Sequence, residues 1–320
     1  MSVAARVLAA AVILGSCSSD PARTAVTSSA SSSVTVESVP TPAETETTFV
    51  VATATTSTAG TSRVTTSPTA AELAGELTTV ERAAAAGDGS VGVRQQLLYR
   101  YLAAHADLDD AVLAGASDDV RPSIERIVAA RQLGQARQAA NPSPAAPSAN
   151  LPAWTVVDPL PADELLADYH DAEAATGIAW YWLAAIHLQE TRMGRIIGTS
   201  SAGAVGPMQF LPTTWARCCT GDPTLPRDAI IGAAVYLAQS GGPDDMQAAL
   251  HEYNPNDSYV ATVTAFAENL RDNPQLYAAY REWQVFYATS AGAIRMPVGY
   301  SATGPIDAAT YLAGHPDDAG

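Results

Sequence analysis

After residue 69, apolar positions recur at helical spacing in most of the chain, and the breaks between runs fall at Gly, Pro and Asn. TAAELAGELTTVERAAAA, VRQQLLYRYLAAH after the Gly87-Asp88-Gly89 break, and VRPSIERIVAARQLGQARQ predict helices within residues 70–140. Leu97, Leu98, Tyr101 and Leu102 give an apolar stripe there. NPSPAAPSANLP, residues 141–152, reads as a Pro-rich linker. ADELLADYHDAEAATG predicts a helix that stops at Gly177. RDAIIGAAVYLAQSGG, MQAALHEYN and NDSYVATVTAFAENL predict three more, with Asn256 or Asp257 where the last would be capped. QVFYATSAGAIRMPVGY alternates and predicts a small β-hairpin. The expectation is a mostly α domain over residues 153–300. The helical segment 70–140 packs on it or acts as a spacer, and 301–320 form a tail.

The first 69 residues break the pattern. Val7 to Gly15 is apolar but too short to span about 30 Å of hydrocarbon as a helix, so residues 1–16 read as a signal peptide. Leu14, Gly15, Ser16 and Cys17 resemble the lipobox of bacterial lipoproteins, which implies removal of the leader and a lipid on Cys17. The mature protein would then be anchored outside the cytoplasmic membrane. Residues 17–69 are dominated by Ser, Thr, Ala, Val and Pro, bury too little to offset chain entropy, and read as a disordered tether. Such a coil has an end-to-end distance of roughly 40 Å.

Charge removes one class of partner. The 17 basic residues, all Arg, face 33 acidic ones for a formal net charge of −16 in 320 residues, a field of the wrong sign for nucleic acid. With Cys17 assigned to lipid, only Cys218 and Cys219 remain. Their Cα atoms must lie about 3.8 Å apart, so a bond between them is strained but possible outside the cell, and two buried thiols are the alternative. No second Cys or His pair stands at metal-ligand spacing.

One run poses a chemical question. In WYWLAAIHLQETRMGR, helical winding puts Leu183, Ile186, Glu190 and Met193 on one stripe, so a carboxylate sits on an apolar face. A buried, unpaired carboxylate costs several kcal/mol or gives up its charge. Glu190 is therefore either salt-bridged to Arg192 or Arg195, or kept there for its chemistry. Downstream, SAGAVGPMQFLPTTW has Gly203 and Gly206 where backbone can approach closely and Gln209 as a donor and acceptor on an apolar run. EYNPNDSYV sets Tyr253 and Asn254 just after a helix.

Together, in this order and spacing, the three segments resemble the lytic transglycosylases that cleave bacterial peptidoglycan. ETRMG resembles that family's catalytic Glu segment, Ser200 through Gln209 its S-x-x-G-A-x-G-x-M-Q motif, and Tyr253-Asn254 its Tyr-Asn motif. The resemblance covers about residues 151–270 and extends more loosely to the flanks, which look like those of actinobacterial lipoprotein members. It implies a goose-type lysozyme-like catalytic domain and peptidoglycan glycan strands as the partner. It also implies Glu190 as the single acid and base, with Ser200, Gln209 and Asn254 holding the sugar or its N-acetyl group and Tyr253 orienting Glu190 or lining the cleft. Burial raises a carboxyl pKa in the direction a general acid needs. A hydrolase of the usual kind would need a second carboxylate about 5 to 10 Å away, and none stands in SSAGAVGPMQFLPTTW. A muramidase that hydrolyses the same bond and a non-catalytic glycan-binding lipoprotein are the alternatives.

Two departures bear on the resemblance. Some relatives carry a calcium loop after the Gln motif, whereas CCTGDPTLPRDAI lacks the alternating Asp run; the expectation is no metal and no cofactor, with Asp228 capping the next helix. Pro207 stands where many members have Leu. His187 reads as a core histidine, and at most one or two of Trp180, Tyr181 and Trp182 can face a cleft.

Overall fold

The computed structural model describes residues 67–320, so the leader expected over residues 1–16, the lipidation site Cys17 and nearly all of the 17–69 tether lie outside the described residues. The described chain starts with a capping box: Thr69 Oγ1 accepts from the Glu72 amide while the Glu72 carboxylate accepts from the Thr69 amide, at the start of α1 (Ala70–Ala85). Asp88 then caps a short 3-10 turn, and α2 (Gly92–Ala104), α3 (Asp109–Gly115) and α4 (Arg121–Ala140) complete the amino-terminal helices. Two-residue strands β1 (Asn150–Leu151) and β2 (Thr155–Val156) precede α5 (Ala162–Thr176), α6 (Trp180–Thr191) and β3 (Ile196–Ile197). Next come α7 (Pro212–Cys218), α8 (Pro226–Gln239), α9 (Met246–Tyr253), α10 (Asp257–Asp272) and α11 (Leu276–Arg281). The order ends with β4 (Val285–Thr289), β5 (Gly292–Met296), β6 (Ile306–Asp307) and α12 (Ala308–Gly314). The described chain is mostly α, and β4 and β5 form the expected hairpin, in register Phe286 opposite Arg295.

The main core is built around α10. Its buried Tyr259, Val260, Val263, Phe266, Ala267 and Leu270 follow helical spacing, and the helix packs against both α4 and α6. Arg126 of α4 reinforces the first contact through Asp272 and Glu268 and donates to Asn269 Oδ1 at 2.9 Å. Residues 70–140 thus contribute to the same core rather than standing off as a spacer. Gly92 shows how close the approach is: a Cβ there would lie 2.0 Å from the Ala279 carbonyl oxygen of α11. Gln96 exchanges two hydrogen bonds with the Gln284 backbone, at 2.9 and 2.7 Å, and Trp283 Nε1 donates to Gln95 Oε1 at 3.0 Å.

A second, smaller core joins Leu151, Trp154, Val156, Ile196, Val285, Ile294, Met296, Tyr300 and Ala308. β1 pairs with β6 and β2 with β3 around it. Residues 301–320, set off as a tail by the sequence, fold onto this core. The ladder β1–β6, the Arg295–Asp318 pair at 2.7 Å and the Tyr311 hydroxyl on Asp318 at 2.9 Å hold them there. This core also supports the loop after α6: Trp154 Nε1 donates to the Thr199 carbonyl at 3.1 Å, and a Cβ on Gly198 would meet the Trp154 ring at 2.2 Å.

Candidate active site

The helix carrying Glu190 is not amphipathic. From Leu183 to Leu188 of α6 only 0% of each side chain is exposed, so the apolar stripe expected from the sequence is a fully buried rod. It ends at Thr191, before Met193, because three consecutive residues take left-handed backbone: Arg192 (φ 56°), Met193 (φ 60°) and Gly194 (φ 85°). Only the third is glycine; each of the others costs on the order of 1 kcal/mol in this region. Gln209, on the facing loop, is the other non-glycine residue with positive φ, at 48°. All such residues among those described therefore flank Glu190 or belong to the loop beside it. Strain of this kind persists where the surroundings over-determine the chain.

Glu190 is entirely buried, and neither arginine takes its charge. Arg192 Nη1 donates back to the Leu188 carbonyl at 2.6 Å, and its guanidinium lies 5.9 Å above the Trp283 ring. Arg195 turns to Asp158 and Glu282. Instead the Tyr259 hydroxyl donates to Glu190 Oε1 at 2.7 Å, and Oε2 has no hydrogen-bond partner in the described chain. Burial drives the carboxyl pKa from 4.5 up to about 8, with the Tyr259 bond pulling the other way. The magnitudes agree: one hydrogen bond to a charged oxygen is worth about 1.5–3 kcal/mol, less than the cost of stripping water from a carboxylate. At neutral pH Glu190 therefore holds its proton.

Tyr259 was not among the residues singled out from sequence. It lies in the first turn of α10, placed there by the N-cap Asn256, whose Oδ1 accepts from the Ser258 and Tyr259 amides. Tyr253, expected to orient Glu190 or line the cleft, makes no hydrogen bond to the acid: its hydroxyl donates to the Met208 carbonyl at 2.6 Å, and its ring stacks near-parallel to Tyr259 with centroids 6.4 Å apart. Tyr253 closes α9, and its hydroxyl is spent on the loop beside α6. Thr191 Oγ1 fixes the same loop by donating to the Pro207 carbonyl at 2.6 Å, so Pro207 serves through its oxygen.

The loop itself is a tight double turn. The Ser200 amide donates to the Ala204 carbonyl at 3.0 Å, and the Ser200 hydroxyl oxygen accepts from the Ala204 amide at 3.0 Å. Val205 bridges to Phe210, and Gln209 Nε2 returns to the Gly206 carbonyl at 2.9 Å. Gly206 is required: at φ 76° a Cβ there would lie 1.8 Å from the Pro223 carbonyl oxygen. Asn254, extended and buried, follows Tyr253 as the residue after α9, and its carbonyl accepts from the Asn256 amide at 2.7 Å. Glu190, Tyr259, Tyr253 and the Met208-Gln209 corner thus make one cluster. Ser200 ties the near end of the loop, and its hydroxyl already serves a backbone amide.

Other candidates resolve into structure. His187 Nδ1 lies 2.7 Å from the Tyr169 hydroxyl, and burial lowers its pKa to about 3, so it is a neutral core residue. Asp228 does not cap α8; it stands in the first turn and accepts from the Asp222 amide at 2.8 Å, while Asp222 Oδ1 accepts from Thr224. Trp180, Tyr181 and Trp182 are half-buried against the main core. Cys218 and Cys219 are joined in a disulfide.

The fold and site define a mostly helical protein in which a buried, proton-holding carboxylate, Glu190, is held by Tyr259 beside a loop that carries Gln209 in left-handed backbone. Over 149 residues, 44% of its length, the chain is 28% identical to the membrane-bound lytic murein transglycosylase F of Thiobacillus denitrificans (strain ATCC 25259 / T1). That alignment covers 32% of the relative. No family model and no solved structure matches.

Proposed function

We propose that the protein is a peptidoglycan lytic transglycosylase with a goose-type lysozyme-like catalytic domain over residues 153–300. The observation that carries this reading is the Glu190 carboxyl, buried, protonated near neutral pH and held through one oxygen by Tyr259. The similarity to a lytic murein transglycosylase points the same way. In this reading the Oε2 side delivers the proton to the oxygen bridging N-acetylmuramic acid and N-acetylglucosamine. The resulting carboxylate then takes the proton of the muramic C6 hydroxyl as that oxygen attacks the anomeric carbon. A 1,6-anhydro end forms, and Glu190 regains its proton. One group serves both steps, consistent with a pKa governed by burial and Tyr259 alone, with no neighbouring carboxylate contributing. Gln209 and Asn254 supply neutral amides to the sugar, and Ser200 adds the free hydrogen of its hydroxyl. A leader over residues 1–16 and a lipid on Cys17 would place this domain on the outer side of the membrane, facing the wall. Among the described residues no helix is long and apolar enough to cross a membrane.

The test is mass spectrometry of soluble fragments released from peptidoglycan by the full chain and by Glu190→Gln. Anhydro ends, lighter by one water than hydrolysed ends and absent with the variant, are the expected result. Hydrolysed ends would establish a muramidase instead. Binding to the insoluble wall with no fragments released would leave a glycan-binding protein.

A further inference from the structure

The Cys218–Cys219 disulfide sits where two arms of structure leave for the Gln209 loop. The first arm runs back one turn of α7 to Trp215. Its ring packs on Gly232 of α8, where a Cβ would lie 2.3 Å from the indole and 3.4 Å from Cys219 Sγ, and it meets Phe210, the residue after Gln209, edge-on at 5.1 Å. Phe210 in turn packs edge-on against Tyr253 at 5.6 Å. The second arm runs forward: Trp215 Nε1 donates to the Gly221 carbonyl at 3.2 Å, the Asp222 amide is tied to Asp228, and Pro223 presses its carbonyl into the space beside Gly206. Both flanks of the strained Gln209 backbone are thus braced from one corner, and both cysteine side chains at that corner are only half-buried.

We propose that the Cys218–Cys219 disulfide is a redox-sensitive brace for the Gln209 loop, and that its reduction weakens the hold of the site on its glycan. The proposal rests on the function proposed above only for the second clause. In the switching step an external dithiol gives up two electrons and two protons. Its sulfurs join in a disulfide, while the Sγ–Sγ bond of Cys218 and Cys219 breaks to two thiols. Freed of its eight-membered ring, the end of α7 frays, Trp215 loses its fixed seat on Gly232, and Gln209 is released to relax from left-handed backbone. The two thiols must part from bonding to contact distance, which this half-buried corner accommodates locally, so the fold as a whole is retained.

Hydrogen exchange of the oxidised full chain, of the chain reduced with a phosphine and of Cys218→Ser/Cys219→Ser tests the coupling without reference to activity. Thiol alkylation confirms that reduction is complete. The expected result is faster exchange in peptides covering residues 203–225 of the reduced chain and of the double variant, with α1 to α4 unchanged, and no further response of the variant to the phosphine. On soluble glycan fragments KM rises by about threefold or more on reduction, with kcat changing less, as for loss of a substrate-holding contact. Unchanged exchange in residues 203–225 of fully reduced protein would overturn the brace, and faster exchange with unaltered KM would overturn its control of the site. If the oxidised protein releases no anhydro product, the functional reading fails, and exchange alone decides the brace.

Discussion

In the reaction proposed for this site, Tyr259 and Glu190 set the pH dependence between them. The acid must be protonated in the free enzyme, so kcat/KM is expected to be flat below and to fall above about pH 8, the value to which burial raises Glu190. Tyr259 stabilises the ionised form, so Tyr259→Phe shifts this limb to higher pH as well as lowering kcat; a profile unmoved by the substitution would mean that the tyrosine only fills space. Glu190→Gln should lower kcat by on the order of 10²–10⁴, the usual contribution of a general acid. The same shift predicts a stability effect. A carboxyl whose folded pKa lies above its unfolded one contributes its full stability below pH 4.5 and loses it as pH rises toward about 8. Chemical denaturation across that window should show stability falling at up to about 1.4 kcal/mol per pH unit from this group, with a flatter dependence in Glu190→Gln.

At the scale of elements, two glycines set distances that no other residue permits. Gly92→Ala drives a methyl into the Ala279 carbonyl and should cost about 1–3 kcal/mol as α2 moves off α11, read as a lower Tm with the glycan chemistry still intact. Gly206→Ala combines a clash against Pro223 with left-handed backbone in a loop whose Met208 and Phe210 belong to the main core, so it should lower activity and Tm together. The longer helices were legible in the sequence because each carries several apolar residues at one period and a stop, such as Gly177, which takes φ 78° after α5. α3, α7, α11 and α12 were not, being too short for a period to show. The strands β1, β2, β3 and β6 have two residues each and owe their existence to partners far along the chain, as Asn150 does to Asp307. In the site, the Glu, Gln and Tyr-Asn segments stood out as motifs. Tyr259 did not, because only the crossing of α10 over α6 shows which of two tyrosines six residues apart reaches the acid.

For the molecule as a whole, the amino-terminal helices and the carboxy-terminal hairpin are one structure. Removing residues 67–140 would strip α4 from α10, the helix that carries Tyr259, so the remainder is expected to lose cooperative unfolding in calorimetry, whereas the intact chain gives a single transition. The bonds between Gln96 and Gln284 and between Gln95 and Trp283 close over 188 positions of sequence. Chain synthesis delivers Gly92, Gln95 and Gln96 long before Ala279, Trp283 and Gln284 exist, so these early helices must wait for their partners with their contact faces unfilled. A chain built this way finishes folding only once its last third is present. That delay keeps it threadable, which is the condition under which a polypeptide can be passed through a membrane pore before it folds on the other side.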